Sequence, residues 1–165
     1  MLNSQTALPY GAPAATIIVP GRSPWLILVP GMEQPRARNL GLTVFLSDVC
    51  ARSGHGFASF QSAKPEYYDD TAHSMAAHAT LHQAVLAFGR RDEGFAAIVA
   101  AAPRERVVAQ RTASQAKGLA GATVEPIIFE PQVFESLPAR VAFAKSLAQT
   151  SNSLRNRRFA QLSRT

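Results

Sequence analysis

Residues 95–129 read FAAIVAAAPRERVVAQRTASQAKGLAGATVEPIIF. Residues 95–101 are a short, unbroken apolar run stopped by Pro103, which fits a strand buried on both faces, although its alanines also permit helix. Residues 104–117 follow with Pro103 just ahead and Gly118 just behind, the usual punctuation of a helix. Residues 123–129 return to β-branched and aromatic side chains and predict a second strand. A strand, a helix and a strand in that order make a βαβ unit with a right-handed crossover. The expected fold class is therefore mixed α/β.

Upstream, residues 16–19 and 25–29 are short, apolar and bounded by the Pro-Gly pairs at 20–21 and 30–31. They predict two strands joined as a hairpin across residues 20–24. A third strand is expected at 42–46, after the polar stretch 33–39. Residues 51–70 carry Gly54, Gly56, Pro65 and a run of acids and tyrosines, which predicts a long loop with a short strand near 56–60. Residues 71–88 predict a helix capped by Asp70 or Thr71 and closed by Gly89, with Met75, Leu81, Val85 and Leu86 on its apolar face; residues 84–88 alternatively read as a strand. Downstream, 133–149 reads as a helix and 152–162 as a last short one, with Leu154, Phe159 and Leu162 as its apolar contacts.

The 165 residues fit one domain, 14–165, preceded by an arm at 1–13 and ending in a basic helical segment, 138–165. Apolar residues make up 47%, enough for one real core and against disorder as the main state. The one cysteine, Cys50, rules out an internal disulfide. No signal-peptide pattern opens the chain and no apolar run is long enough to span a bilayer, so a cytoplasmic location is expected.

Seventeen Lys and Arg against eleven Asp and Glu give a net charge of +6, which favours anionic partners, nucleic acid first. From Arg140 to Thr165 there are six basic residues and no acidic one. Within that segment Arg155, Arg157 and Arg158 suit phosphate, because a guanidinium donates two parallel hydrogen bonds. Arg104 and Arg106 stand where a helix begins, a position that opposes the helix dipole unless an anion is bound. No glycine-rich loop follows the preceding strand, so neither a P-loop nor a dinucleotide fingerprint is present. His78 and His82, four apart on the 71–88 helix, offer a weaker metal or catalytic site, with Cys50, His55, Asp69 or Asp70 as a third ligand. The glutamate of the zinc-protease pattern is missing, since Ala79 follows His78. Glu66, Asp69, Asp70, Asp92 and Glu93 are the acids a divalent-metal nuclease would draw on, and Trp25, Tyr67 and Tyr68 the aromatics that could stack on bases.

VVAQRTASQAKGL at 107–119, followed by AGATVEPII at 120–128, resembles the ParB/sulfiredoxin superfamily. Gly118-Leu119 would be its glycine-leucine pair, Val124 and Pro126 its strand opening, and Gln34-Pro35-Arg36 its Gln-Pro-Arg box. The family's glycine-arginine turn falls either at Gln110-Arg111, where the glycine is replaced, or at Gly89-Arg90-Arg91 with 95–101 as the next helix. The resemblance implies phosphate or nucleotide binding by the turn arginine, Arg111, with ATP or a divalent metal as cofactor. It also implies a role on DNA, as a nuclease, a nucleotide hydrolase or a plasmid accessory factor. The helix–strand–helix order at 104–149 is also similar to small restriction-type nucleases, whose acid-x-lysine strand is absent here. The expected function is DNA or nucleotide-phosphate binding through Arg104, Arg106, Arg111, Arg155, Arg157 and Arg158. A His78/His82 enzyme, or a basic C-terminal surface that docks an acidic protein, are the alternatives.

Overall fold

The computed structural model describes residues 17–32, 34–60, 70–88, 95–116 and 123–162. Five strands form one sheet in the order β1-β3-β2-β4-β5, with β1 at Ile17–Val19, β2 at Arg22–Leu28, β3 at His55–Ser59, β4 at Ala96–Ala101 and β5 at Thr123–Ile128. β3, β2, β4 and β5 run parallel, and β1 lies antiparallel against β3. The expected mixed α/β class is what the chain adopts, and the βαβ unit at 95–129 is β4, the helix Arg106–Gln115 and β5.

Four helices cover the sheet: α1 (Arg36–Ser53), α2 (Asp70–Phe88), α3 (Arg106–Gln115) and α4 (Leu137–Leu162). One apolar cluster joins α2 and α3 to one face through Ala76, Ala77, Leu81, Ala84, Val108 and Ala109. The other joins α1 and α4 to the opposite face through Leu42, Leu46, Cys50, Phe143, Leu147 and Leu154. All six residues of β4 are buried, as a strand covered on both faces requires. Parallel strands order outward from β2 to β3 on one side and from β2 to β4 and β5 on the other. The topological switch point, where such sheets gather ligands, therefore lies between the carboxyl ends of β2 and β4.

Four expectations are corrected. Residues 42–46 lie inside α1, not in a strand. Leu42, Leu46 and Cys50 are buried one turn apart, and the helix runs from Pro35 to Gly54, whose φ of 75° ends it in the left-handed region. The pair 16–19 and 25–29 forms no hairpin, because β3 inserts between β1 and β2. Residues 51–60 of the expected loop are the end of α1 and β3, with the short strand near 56–60 present one residue earlier than expected; 61–69 lie outside the described residues. The last two helices are one, α4, because nothing between Gln149 and Asn152 breaks the i to i−4 ladder; residues Pro131–Phe134 form a 3-10 turn ahead of it.

Local packing explains the Gly-His-Gly run at 54–56. Gly54 terminates α1, whereas Gly56 makes room for the indole of Trp25, which would lie 2.0 Å from a Cβ there. Trp25 is fully buried, so it is a core residue and not a stacking platform.

Candidate functional site

At the switch point the chain leaves β2 through Val29-Pro30-Gly31-Met32 and leaves β4 through Ala102-Pro103 into a 3-10 turn at Pro103–Glu105. Two backbone donors that could have faced a ligand are already engaged. The Gly31 amide donates to Asn39 Oδ1 at 2.8 Å, and Asn39 Nδ2 donates back to the Gly31 carbonyl at 2.9 Å. The Met32 amide donates to Glu105 Oε1 at 2.8 Å, inside the protein. Glu105 is only 2% exposed, so its carboxyl is turned inward, where it occupies the place of an anion at the end of β2. An acyl-transfer enzyme of the α/β-hydrolase kind carries a serine on a G-x-S-x-G turn after such a strand. Here the turn reads Ala101-Ala102-Pro103 and offers no nucleophile.

With Glu105 inside, the charges left outside are positive. Arg104, Arg106 and Arg111 are all exposed, together with Val107, Gln110, Ser114 and Gln115, whereas Val108, Ala109, Thr112 and Ala113 are buried. Among the described residues, the outer side of α3 and the 3-10 turn before it thus present three arginines, Arg104 on the turn and Arg106 and Arg111 on the helix, and no carboxylate. Gln110 and Arg111, one of the two positions for a glycine-arginine turn, lie in the middle of α3, and residues 95–101, the helix of the rival position, contain β4. Gly89, Arg90, Arg91, Gly118 and Leu119 lie outside the described residues.

The C-terminal basic residues whose side chains are described are not gathered on the α3 side. α4 packs on the opposite face of the sheet, so Lys145 and Arg155, both exposed, are separated from the α3 arginines by the sheet itself. Arg140 is structural: its Nε donates to the Val133 carbonyl at 2.8 Å and its Nη2 to the Phe134 carbonyl at 2.7 Å, and it lies over the ring of Phe45. The side chains of Arg157 and Arg158, with residues 163–165, lie outside the described residues.

His78 is half-buried and His82 exposed on α2. Cys50 and His55 belong to the α1/α4 side of the sheet, so neither can join them. Among the described residues no three of His, Cys, Asp and Glu come together to hold a metal ion; Glu66, Asp69, Asp92, Glu93, Tyr67 and Tyr68, with the side chain of Asp70, are outside those residues. Burial holds the Cys50 thiol up at about 12, which makes it inert.

Burial, then the positive charge of His82, lowers the pKa of His78 from the ordinary 6.5; burial, then Arg22 and Arg155, lowers that of His55. A depressed imidazole refuses a proton that the unfolded chain accepts. Their contribution to stability is complete above 6.5 and is lost as the pH falls below it towards the folded values. The thermal midpoint of the protein is therefore expected to drop on mild acidification, and the drop to be shallower in His78→Gln. Parallel curves for the two proteins would contradict this.

No helix among the described residues is long and apolar enough to cross a membrane. No family model, curated protein or solved structure matches this chain.

Sequence reading missed two contributors at the switch point. Asn39 sits in the polar stretch 33–39, and its role depends on α1 beginning at Arg36. Glu105 stands in the sequence between Arg104 and Arg106, where nothing sets it apart from a surface acid. Its place between Pro103 and the first turn of α3 decides that it points inward while they point out.

Proposed function

We propose that this protein binds the phosphate backbone of DNA through the outer side of α3 and the turn that leads into it, with Arg104, Arg106 and Arg111 as the contacting residues. The observation that carries this reading is the sorting of charge at the end of β4: the one carboxylate of the segment is buried and the three guanidiniums are exposed. Guanidiniums on one helix side, interleaved with Gln110 and Ser114, match the side chains that most often contact phosphate oxygens. The net charge of +6 adds a long-range attraction of the same sign. A polyanion lying on the surface is favoured over a mononucleotide such as ATP held in the crevice. Asn39 and Glu105 already hold the amides of Gly31 and Met32, which a buried phosphate would need.

The test is duplex binding followed by fluorescence anisotropy. Arg111→Glu is expected to weaken binding at least about tenfold at moderate salt, because it replaces a phosphate contact by a repulsion. Lys145→Glu, an equal charge change on the opposite layer, is expected to cost less than about threefold. Equal losses from the two substitutions would overturn the reading. Duplex binding too weak to persist at moderate salt would also overturn it, and would leave α3 as a docking face for an acidic protein.

A further inference from the structure

A cavity of about 120 Å³ opens between α1, α4 and the amino ends of β2, β3 and β4. It is on the opposite side of the sheet from α3 and at the opposite end of the strands from the switch point. Leu26, Val49, Ile98, Ala144 and Leu147 give it apolar walls, and Cys50 adds a protonated thiol. Its polar groups are Ser53, His55, Ser151 and Asn152, and no acidic side chain lines it.

Two of those groups carry a buried polar atom without a hydrogen bond, although the His55 ring as a whole is also held by the backbone of Arg22 and Pro24. Ser151 is 9% exposed and its Oγ is buried without a hydrogen-bond partner, and His55 Nδ1 is likewise buried and unpartnered. They reach the same cavity from α4 and from β3. A hydroxyl and a ring nitrogen left without a partner inside a protein are each unfavourable. Two such groups on one cavity mark a place where something polar is received. Two cations stand beside it. Arg22 Nη2 donates to the Ser53 carbonyl at 2.8 Å, which anchors its guanidinium at the α1–β3 junction, and the positive charge of Arg155 on α4 is felt at His55.

We propose that this cavity binds a small monocarboxylic acid with a compact apolar body. The carboxylate lies at the polar end, accepts from Ser151 Oγ and the His55 ring, and sits in the field of Arg22 and Arg155. The body lies against Leu26, Ile98 and Leu147. An apolar cavity of about 150 Å³ just holds benzene, so the body is no larger than that and a short branched-chain acid fits. The groups facing His55 are Arg22 from β2, Cys50 from α1 and Arg155 from α4. None is an acid, so an incoming anion meets no like charge among them.

Isovalerate is the probe, and isovaleramide its neutral counterpart. Titration of the whole protein, followed by NMR at the His55 ring and by calorimetry, is expected to give saturable isovalerate binding with a Kd of about 0.1–5 mM. Isovaleramide is expected to bind at least about tenfold more weakly, and Arg155→Gln to weaken isovalerate several-fold. Ala148→Leu, at an exposed position on the cavity wall, is expected to fill the site and abolish binding while the thermal midpoint holds. The variant lacking Arg104, Arg106 and Arg111 should bind isovalerate as the wild type does, which separates this site from the DNA surface. No saturation below about 20 mM, equal binding of acid and amide, or indifference to Arg155→Gln would each overturn the proposal. Each of those results would mean that His55 and Ser151 are satisfied by water only.

Discussion

Replacing Gly56 by alanine is expected to destabilise the protein by about 3 kcal/mol or more, and to cost little once Trp25 has been replaced by leucine. A Cβ at Gly56 would fall 2.0 Å from Trp25 Cε2 and 2.1 Å from Cδ2, inside any allowed contact. The indole cannot give way, since Trp25 is fully buried in the cluster beneath α2 and lies tilted against Phe95, with ring centroids 6.0 Å apart. Nor can the backbone move freely. Gly21 packs so closely on the same segment that its own Cβ would lie 2.4 Å from the Gly56 nitrogen. Trp25→Leu alone should cost about 2–4 kcal/mol through the cavity it leaves. The two changes share one clash, so the double variant should be markedly more stable than the sum of the singles predicts. Urea denaturation of the four proteins gives the coupling, and additive costs would contradict this packing.

Glu105→Ala should cost about 3 kcal/mol in the same assay, and Glu105→Gln clearly less. The alanine leaves the Met32 amide, buried at the end of β2, without its acceptor, and opens a void beneath the 3-10 turn. Glutamine keeps an oxygen near the position of Oε1 and so keeps that hydrogen bond. A cost for the alanine variant within about 0.5 kcal/mol of zero would mean that the carboxyl is not what closes the strand end.

The β4–α3–β5 unit could be read from the chain because its signals agree: a short apolar run, Pro before a helix, Gly after it, and a β-branched return. The opposite layer could not. Thr43 and Val44 gave residues 42–46 the composition of a strand, and only the one-turn spacing of Leu42, Leu46 and Cys50 marks the helix that tertiary packing enforces. Ser151 hides in a similar way. It follows Leu147 by four and precedes Leu154 by three, so it falls on the buried stripe of α4. Splitting that helix in two at 150–151 removes the stripe from view, and with it the polar atom in the cavity. The arginines of α3 were visible as a cluster, but which of them share a surface with those near the C-terminus depends on the layer each helix takes. That follows from strand order, and strand order was set by β3 inserting between β1 and β2, against the hairpin that local turn signals favoured.

The salt dependence of duplex binding is the most direct measure of whether α3 is the phosphate-contacting surface. Each arginine–phosphate contact contributes about 0.9 to the slope of log affinity against log salt. Substituting Arg104, Arg106 and Arg111 together by glutamine should lower that slope by about two to three. Substituting Arg38, Lys145 and Arg155, a charge-matched set on α1 and α4, should leave it within about one of the wild type. The same slope in all three proteins, or a larger fall in the α1/α4 set, would contradict the placement of DNA on α3.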